Sequence, residues 1–266
     1  MPNINYIITC GTSQLDSKKY QNWIGHSFRN KTTLEQFIDY HDPDLKNDPV
    51  KWEQVTGNWT PNKVATTKQE IVDRLVQRFN QPGLSNFLGA ELSTIKLRKE
   101  KHPSDTEYFH IIASETTDGK LAAEILCRTL IKLGMRGEEI ITPVRYLRDK
   151  LEDPGMASTG LKNLINHLFG ALKTDAQNVF VISGGFKSVI PCITLFATMF
   201  GLEMVYLFED SNLLQTYPAT EYLHNLANRK NWIADWDNKI YGKNIEMAPW
   251  MRQLFDDGVQ NNQMYT

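Results

Sequence analysis

A turn of glycine, lysine and serine at 183–188 contains the residues best suited to hold a charged ligand. It reads Ser-Gly-Gly-Phe-Lys-Ser and separates a β-branched apolar run from a longer apolar segment. Glycines let a backbone turn sharply and approach a ligand, and the first turn of a following helix presents unpaired N–H groups. With the charge of Lys187 beside them, a phosphate is the expected guest. The simpler interpretation is a compact turn followed by a solvated lysine, and the GxxxxGK[ST] motif of phosphate loops is missing.

Two further polar loops follow predicted strands. Gly11-Thr12-Ser13-Gln14 comes after the apolar run 6–10, and Ser114-Glu115-Thr116 comes after the apolar run 108–113. Open α/β sheets bind their ligands at the carboxyl ends of strands, so both loops are candidate ligand loops. The alternative for the first loop is that Thr12 or Ser13 caps a helix.

The elements that must position these loops predict an α/β protein. Apolar runs without polar alternation indicate parallel strands that are covered on both faces. The predicted strands lie at 6–10, 108–113, 179–182 and 204–208, with shorter extended pieces at 139–143 and 213–217. Helices are predicted at 67–79, 84–95, 120–133 and 161–172. Strands that alternate with helices indicate a Rossmann-like parallel sheet with helices on both faces.

For two of the predicted helices, the sequence also predicts which side chains face the core and which face the solvent. In the helix at 161–172, four side chains are predicted to face inward: Leu161, Leu164, Ile165 and Leu168. The helix at 84–95 is followed by a basic run, for which a solvated face is favoured over an RNA-binding track: Lys96, Arg98, Lys99 and Lys101.

Length and composition indicate one large core with a small addition. A chain of 266 residues with 41% hydrophobic content can bury one core, or one core and an appendage. We predict a main domain at 1–218, with a surface elaboration at about 16–100. The remaining segment, 219–266, shifts to polar, tryptophan-containing sequence and is predicted to be a short, mainly helical appendage.

Charge and cysteine usage restrict the function classes. A net charge of −2 argues against a general nucleic-acid coat or DNA binding, so any polyanion must meet a local pocket. Three cysteines lie far apart without a CxxC pair, which favours small core residues in a reducing cytoplasm. The six histidines lack HxxxH or HxxE spacing, so neither a metal nor another cofactor is expected.

Nothing in the sequence predicts a membrane protein. Residues 1–10 lack the basic start and the cleavage site of a signal peptide and are predicted to be the first strand. Residues 189–208 have about the length of a membrane span. They contain Pro191, Gly201 and Glu203, which favours a buried helix followed by a buried strand.

Four segments together resemble the CRISPR-associated Rossmann-fold (CARF) proteins. They are GTS at 11–13, GAELS at 89–93, IIASETTDGK at 111–120 and VISGGFKSVIP at 181–191. Their order and spacing are similar to the compact subgroup that includes the ring nucleases. The resemblance extends over residues 1–220, and GGFKS after a buried strand is its most specific part.

The resemblance implies a homodimer that grips cyclic oligoadenylate, the second messenger of type III CRISPR complexes, with cyclic tetra-adenylate favoured. A symmetric ring suits a symmetric dimer, because each subunit offers the same groups to half of the ring. The family's loop motifs fall on Gly11, Thr12, Ser13 and Gln14, and on Gly184, Gly185, Phe186, Lys187 and Ser188. The loop after the predicted strand at 108–113 supplies three further candidate binding residues: Ser114, Glu115 and Thr116.

Cleavage of such a ring needs little from the protein. The RNA-like ring carries its own nucleophile, a ribose 2′-hydroxyl, which must be held in line with phosphorus while the developing charge is stabilised. Lys187 and the N–H groups of the glycine turn are candidates for stabilising that charge, and Ser13 for holding the phosphate or ribose. Without a positioned base, turnover is expected to be slow, which suits a timer that switches off the signal.

Two other functions remain open from the sequence. One is a sensor that binds the messenger without cleaving it, with 219–266 as an effector or docking element. That tail is too short for a helical ribonuclease domain and lacks RxxxxH, which favours the nuclease. The other is an ordinary nucleotide-binding Rossmann enzyme, which is disfavoured because GxGxxG is missing.

Overall fold

A five-stranded mixed sheet forms the centre of the part of the chain that the computed structural model describes. The described residues are 3–11, 15, 36–42, 46–47, 49–56, 59–83, 88–104, 106–138, 141, 143–147, 154–184, 189–207 and 213–218. The strands are β1 (Ile4–Thr9), β2 (Glu107–Ile112), β3 (Gln177–Val181), β4 (Glu203–Leu207) and β5 (Leu214–Pro218). Their order in the sheet is β2-β1-β3-β4-β5. The first four are parallel and β5 is antiparallel to β4.

These strands confirm the predicted α/β fold. The four apolar runs all form strands, because they supply side chains to a core on each face of the sheet. The extended piece predicted at 213–217 becomes β5, and its antiparallel pairing makes the sheet mixed. The short strand predicted at 139–143 lies largely outside the described residues. Its neighbours Arg136 and Val144 form single parallel bridges to Tyr108 and Ser114, along the outer side of β2.

Helices cover both faces of the sheet. They are α1 (Pro49–Thr56), α2 (Pro61–Phe79), α3 (Ala90–Lys101), α4 (Thr117–Lys132), α5 (Pro154–Ala171) and α6 (Ile190–Met199). Side chains of α2, α3 and α4 pack with Tyr6 and Val179 on one face. Those of α5 and α6 pack with Ile7 and Phe180 on the other. Alternate residues of the four parallel strands therefore contribute to two separate cores.

The interpretation of the basic run after 84–95 as a solvated face is half wrong, because Lys101 is exposed and the Lys99 side chain is 42% exposed but the other two are not. The helix begins at Ala90 and continues to Lys101, so the run lies on the helix itself, where Lys96 and Arg98 are buried. Lys96 Nζ donates to the carbonyl of Gly83 at 2.7 Å, and Arg98 forms an ion pair with Glu203 of β4. A buried cation needs a hydrogen-bond or ion-pair partner. Both partners lie outside the helix, so the helical pattern of the sequence does not indicate them.

The inward face predicted for 161–172 is half wrong. Leu164 and Leu168 are fully buried, whereas Leu161 is 40% exposed and Ile165 is 36% exposed. Leu164, Leu168 and Ala171 form the stripe that faces the sheet, and Leu161 and Ile165 lie on the neighbouring stripe, turned away from it.

The described residues include no helix long and apolar enough to cross a membrane. The apolar segment with about the length of a membrane span instead supplies the ten-residue helix α6 and the strand β4. The helix was predicted to be buried, but it is buried on one side only, and Leu195 and Met199 are 52% and 57% exposed. The cysteines form no disulfide, and Cys10 and Cys127 are buried core residues. The predicted appendage at 219–266 lies outside the described residues.

Candidate functional site

The first and last of the predicted ligand loops begin side by side. β1 and β3 are neighbouring parallel strands with Ile8 opposite Val181, so the loops that follow leave the same edge of the sheet. The chain goes from β1 to β2 on one side and then to β3 on the other. A reversal of this kind opens a crevice at the carboxyl ends of the two strands, where α/β sheets of this order bind ligands.

The structure describes the start of each loop. Gly11 follows β1 and Gly184 follows β3, and both contact the same carboxylate, described below. The other predicted residues of the two loops lie outside the described residues: Thr12, Ser13, Gln14, Gly185, Phe186, Lys187 and Ser188. Their assignment as catalytic or binding residues stays a prediction.

The loop after β2 has a structural role in the described fold. Ser114 is buried, and its Oγ lies 2.8 Å from Oγ1 of Thr116. Thr116 is the N-cap of α4 and accepts a hydrogen bond from the N–H of Gly119 at 3.2 Å. Both hydroxyls therefore help to begin a helix. A binding role for Ser114, Glu115 and Thr116 stays a prediction.

A buried carboxylate that the sequence analysis did not assign joins the two loops. Glu91 lies in the first turn of α3 and is fully buried. Its Oε1 accepts a hydrogen bond from the N–H of Gly11 at 2.7 Å. A Cβ on Gly184 would come within 1.8 Å of the same oxygen, so the backbone of Gly184 passes directly over it. In the sequence Glu91 belongs to the GAELS segment, but the helix was predicted to begin at 84, so its place in the first turn was not evident.

The carboxylate also affects the neighbouring thiol. Burial, and then the charge of Glu91, raise the pKa of Cys10 well above its ordinary value. The thiol of Cys10 therefore stays protonated at neutral pH and donates to the carbonyl of Gly11 at 3.4 Å. It acts as a core residue and not as a nucleophile.

Three hydroxyl groups hold the turn after β3 in place. Thr9 Oγ1 lies 3.2 Å from the carbonyl oxygen of Val181 and 2.5 Å from that of Gly184. Ser183 Oγ lies 2.5 Å from Thr94 Oγ1 and accepts a hydrogen bond from the N–H of Leu207 at 2.9 Å. The turn is thus attached to β1, α3 and β4 before it reaches the glycine-lysine segment. Such attachment preorganises the backbone at the crevice.

Gly184→Ala tests the close packing over Glu91. The added methyl group must displace a buried carboxylate, so we expect the free energy of unfolding to fall by about 1–3 kcal/mol. Gly170→Ala is the matched control, because a Cβ there meets nothing within 4 Å. The control should leave stability unchanged or raise it by up to about 1 kcal/mol, since alanine is the better helix former. Urea denaturation measures both, and equal stability of the two variants would contradict the packing.

The described residues contain no group of three or more His, Cys, Asp or Glu side chains placed to hold a metal ion.

A family model described as CRISPR-associated protein (Cas_APE2256) matches residues 86–219, which is half of the chain. The match begins just before α3 and ends just after β5, so it includes Glu91 and the glycine turn but not β1. Comparison with curated proteins finds no match.

Proposed function

Because the chain belongs to the Cas_APE2256 family of CRISPR-associated proteins, we propose that it is a ring nuclease that ends type III CRISPR signalling. The proposed substrate is cyclic oligoadenylate, with cyclic tetra-adenylate favoured, bound in the crevice between β1 and β3. One observation carries the proposal. Two loops suited to phosphate binding start at adjacent strand ends and share one buried carboxylate through Gly11 and Gly184.

The proposed chemistry is an internal transfer. The 2′-oxygen of one ribose attacks the adjacent phosphorus, and the bond from phosphorus to the 5′-oxygen breaks. The products are a 2′,3′-cyclic phosphate and a 5′-hydroxyl, which takes up the proton that the 2′-hydroxyl loses. Lys187 and the N–H groups of the turn stabilise charge on the phosphoryl oxygens, and Ser13 holds the attacking ribose in line.

A homodimer completes the proposed site. Two subunits related by a two-fold axis present the same crevice to opposite halves of the ring. Each subunit then opens one of two opposite phosphates, so a cyclic tetra-adenylate yields two linear di-adenylates. A linear tetra-adenylate appears only as a transient species. This product pattern follows from the symmetry and differs from that of a single-site enzyme.

Incubation with cyclic tetra-adenylate, with and without EDTA, tests the function. We expect linear di-adenylates with 2′,3′-cyclic phosphate ends at equal rates in both reactions, because the nucleophile belongs to the substrate. Chromatography with mass detection resolves the products. Tight binding without cleavage under single-turnover conditions with excess protein would replace the nuclease by a non-cleaving sensor. The tail 219–266 would then carry the effector or docking role.

A further inference from the structure

A cavity lies along β2, the strand next to β1 at one side of the sheet. It has a volume of about 580 Å³ and is enclosed by side chains of β2, of α5 and of residues 138, 141, 143 and 145. Its polar lining consists of His110, Glu138, Arg145, Asn163, Asn166 and His167. Phe109, Ile111, Ile141 and Pro143 add apolar surface. This volume lies within the range of small-molecule sites. The nuclease chemistry proposed above uses none of these residues.

Two imidazoles line the middle of this groove. The rings of His110 and His167 have centroids 5.9 Å apart and planes inclined at 51°. Burial, and then the neighbouring His167, lower the pKa of His110, which is therefore neutral at pH 7. Its Nε2 is buried and has no hydrogen-bond partner in the described part of the protein. A buried polar atom without a partner costs free energy, and a ligand that supplies the partner recovers it.

An unusual turn places a cation at one end of the groove. Tyr146, next to Arg145, has a φ of 61°, which is rare for a residue other than glycine. Gly160 of α5 packs against this turn so closely that a Cβ would come within 2.4 Å of the carbonyl oxygen of Tyr146. Asn163 donates from Nδ2 to the carbonyl of Arg145 at 3.2 Å. Two contacts from α5 thus hold a sparsely populated backbone conformation, which is frequent at ligand sites.

One guanidinium and one carboxylate line the groove at different positions along β2, from Arg145 and Glu138. Arg145 lies beside Val144, which is bridged to Ser114 beyond the end of β2. Glu138 lies near Arg136, which is bridged to Tyr108 at the start of β2. His110 stands between these two bridges along the strand. In the described residues Arg145 has no ion-pair partner, and its exposed guanidinium is open to an anion at the mouth.

We propose that this groove is a second ligand site that takes a single adenine nucleotide, of the adenosine 5′-monophosphate type. The base stacks on His167, and its ring nitrogens meet His110 Nε2 and the amide of Asn166. The 6-amino group donates to the carboxylate of Glu138, and the phosphate pairs with Arg145. The site is independent of ring cleavage and of the crevice between β1 and β3.

Titration with adenosine 5′-monophosphate tests the site, with calorimetry and the proton NMR signals of the imidazoles as readouts. We expect the signals of His110 and His167 to shift, while that of exposed His102, beyond the end of α3, stays in place. Adenosine alone and ribose 5-phosphate alone should each bind at least about tenfold more weakly, because each lacks one anchor. Inosine 5′-monophosphate should also bind more weakly, because its 6-oxo group faces the carboxylate of Glu138.

Arg145→Ala should weaken binding of adenosine 5′-monophosphate by about tenfold or more, through loss of a charge-assisted contact. Arg128→Ala, which removes an exposed arginine from α4, is the matched control and should leave binding unchanged. Lys187→Ala should leave both histidine shifts in place, so failure here is distinguishable from failure of the proposed nuclease. Histidine signals that do not move on titration, or equal affinity of Arg145→Ala and the unaltered protein, would overturn the assignment.

Discussion

We expect Ser13→Ala to slow opening of cyclic tetra-adenylate by about 100-fold and to weaken its binding far less. This result is expected because a misaligned ribose is felt mainly in the transition state, where the 2′-oxygen, phosphorus and leaving 5′-oxygen must lie in line. Single-turnover rates measure the chemical step, and equilibrium titration measures binding. A Ser13→Ala protein that cleaves at the original rate would remove Ser13 from the mechanism.

Lys187→Ala tests a second proposed role, the contact with phosphate, which differs from the alignment of the ribose by Ser13. The lysine is proposed to contact phosphate in both the bound ring and the transition state, so binding and cleavage should both suffer. Loss of a charge-assisted hydrogen bond corresponds to about 1.5–3 kcal/mol in binding. Lys162→Ala is the matched control, because Lys162 is an exposed lysine of α5. If Lys187→Ala binds and cleaves as the control does, the phosphate site lies elsewhere.

Arg98→Met is expected to produce the largest loss of stability, about 3–5 kcal/mol. Arg98 Nε lies 2.9 Å from Glu203 Oε1, and its Nη2 lies 3.3 Å from Oε2. The two side chains are only 3% and 16% exposed. Gln177 of β3 also donates to Oε2 at 2.8 Å, so the pair joins α3 to two strands. Removal of the cation leaves a carboxylate that is poorly solvated and lacks its charge partner.

An exposed ion pair is the control for this experiment. Lys132 and Asp73 are paired, but their side chains are 47% and 50% exposed. Lys132→Met should therefore cost less than about 1 kcal/mol. Removing the carboxylate as well, in Arg98→Met with Glu203→Gln, should recover part of the loss. Urea denaturation compares the three proteins, and a loss in Arg98→Met no larger than that in Lys132→Met would refute the argument.

The sequence was sufficient to locate the sheet and the start of the candidate site. Unbroken apolar runs predict strands covered on both faces, because each side chain position along them must be buried. All four such runs form parallel strands. Parallel strands bring their carboxyl ends to one edge, so the polar loops at those ends were candidate ligand loops. That β1 and β3 are neighbours came from the structure. Gly11 and Gly184 meet at one carboxylate.

The tertiary structure alone decided which charged and apolar groups are buried. Glu91 and Arg98 look like surface residues in a helix pattern, and their partners Gly11 and Glu203 lie far away in the sequence. Leu161 and Ile165 fit a helical apolar pattern, but the sheet covers only the stripe beside them. Local periodicity reports the conformation of a segment. Burial depends instead on long-range packing, which becomes visible only when β1, β3, β4 and α3 come together.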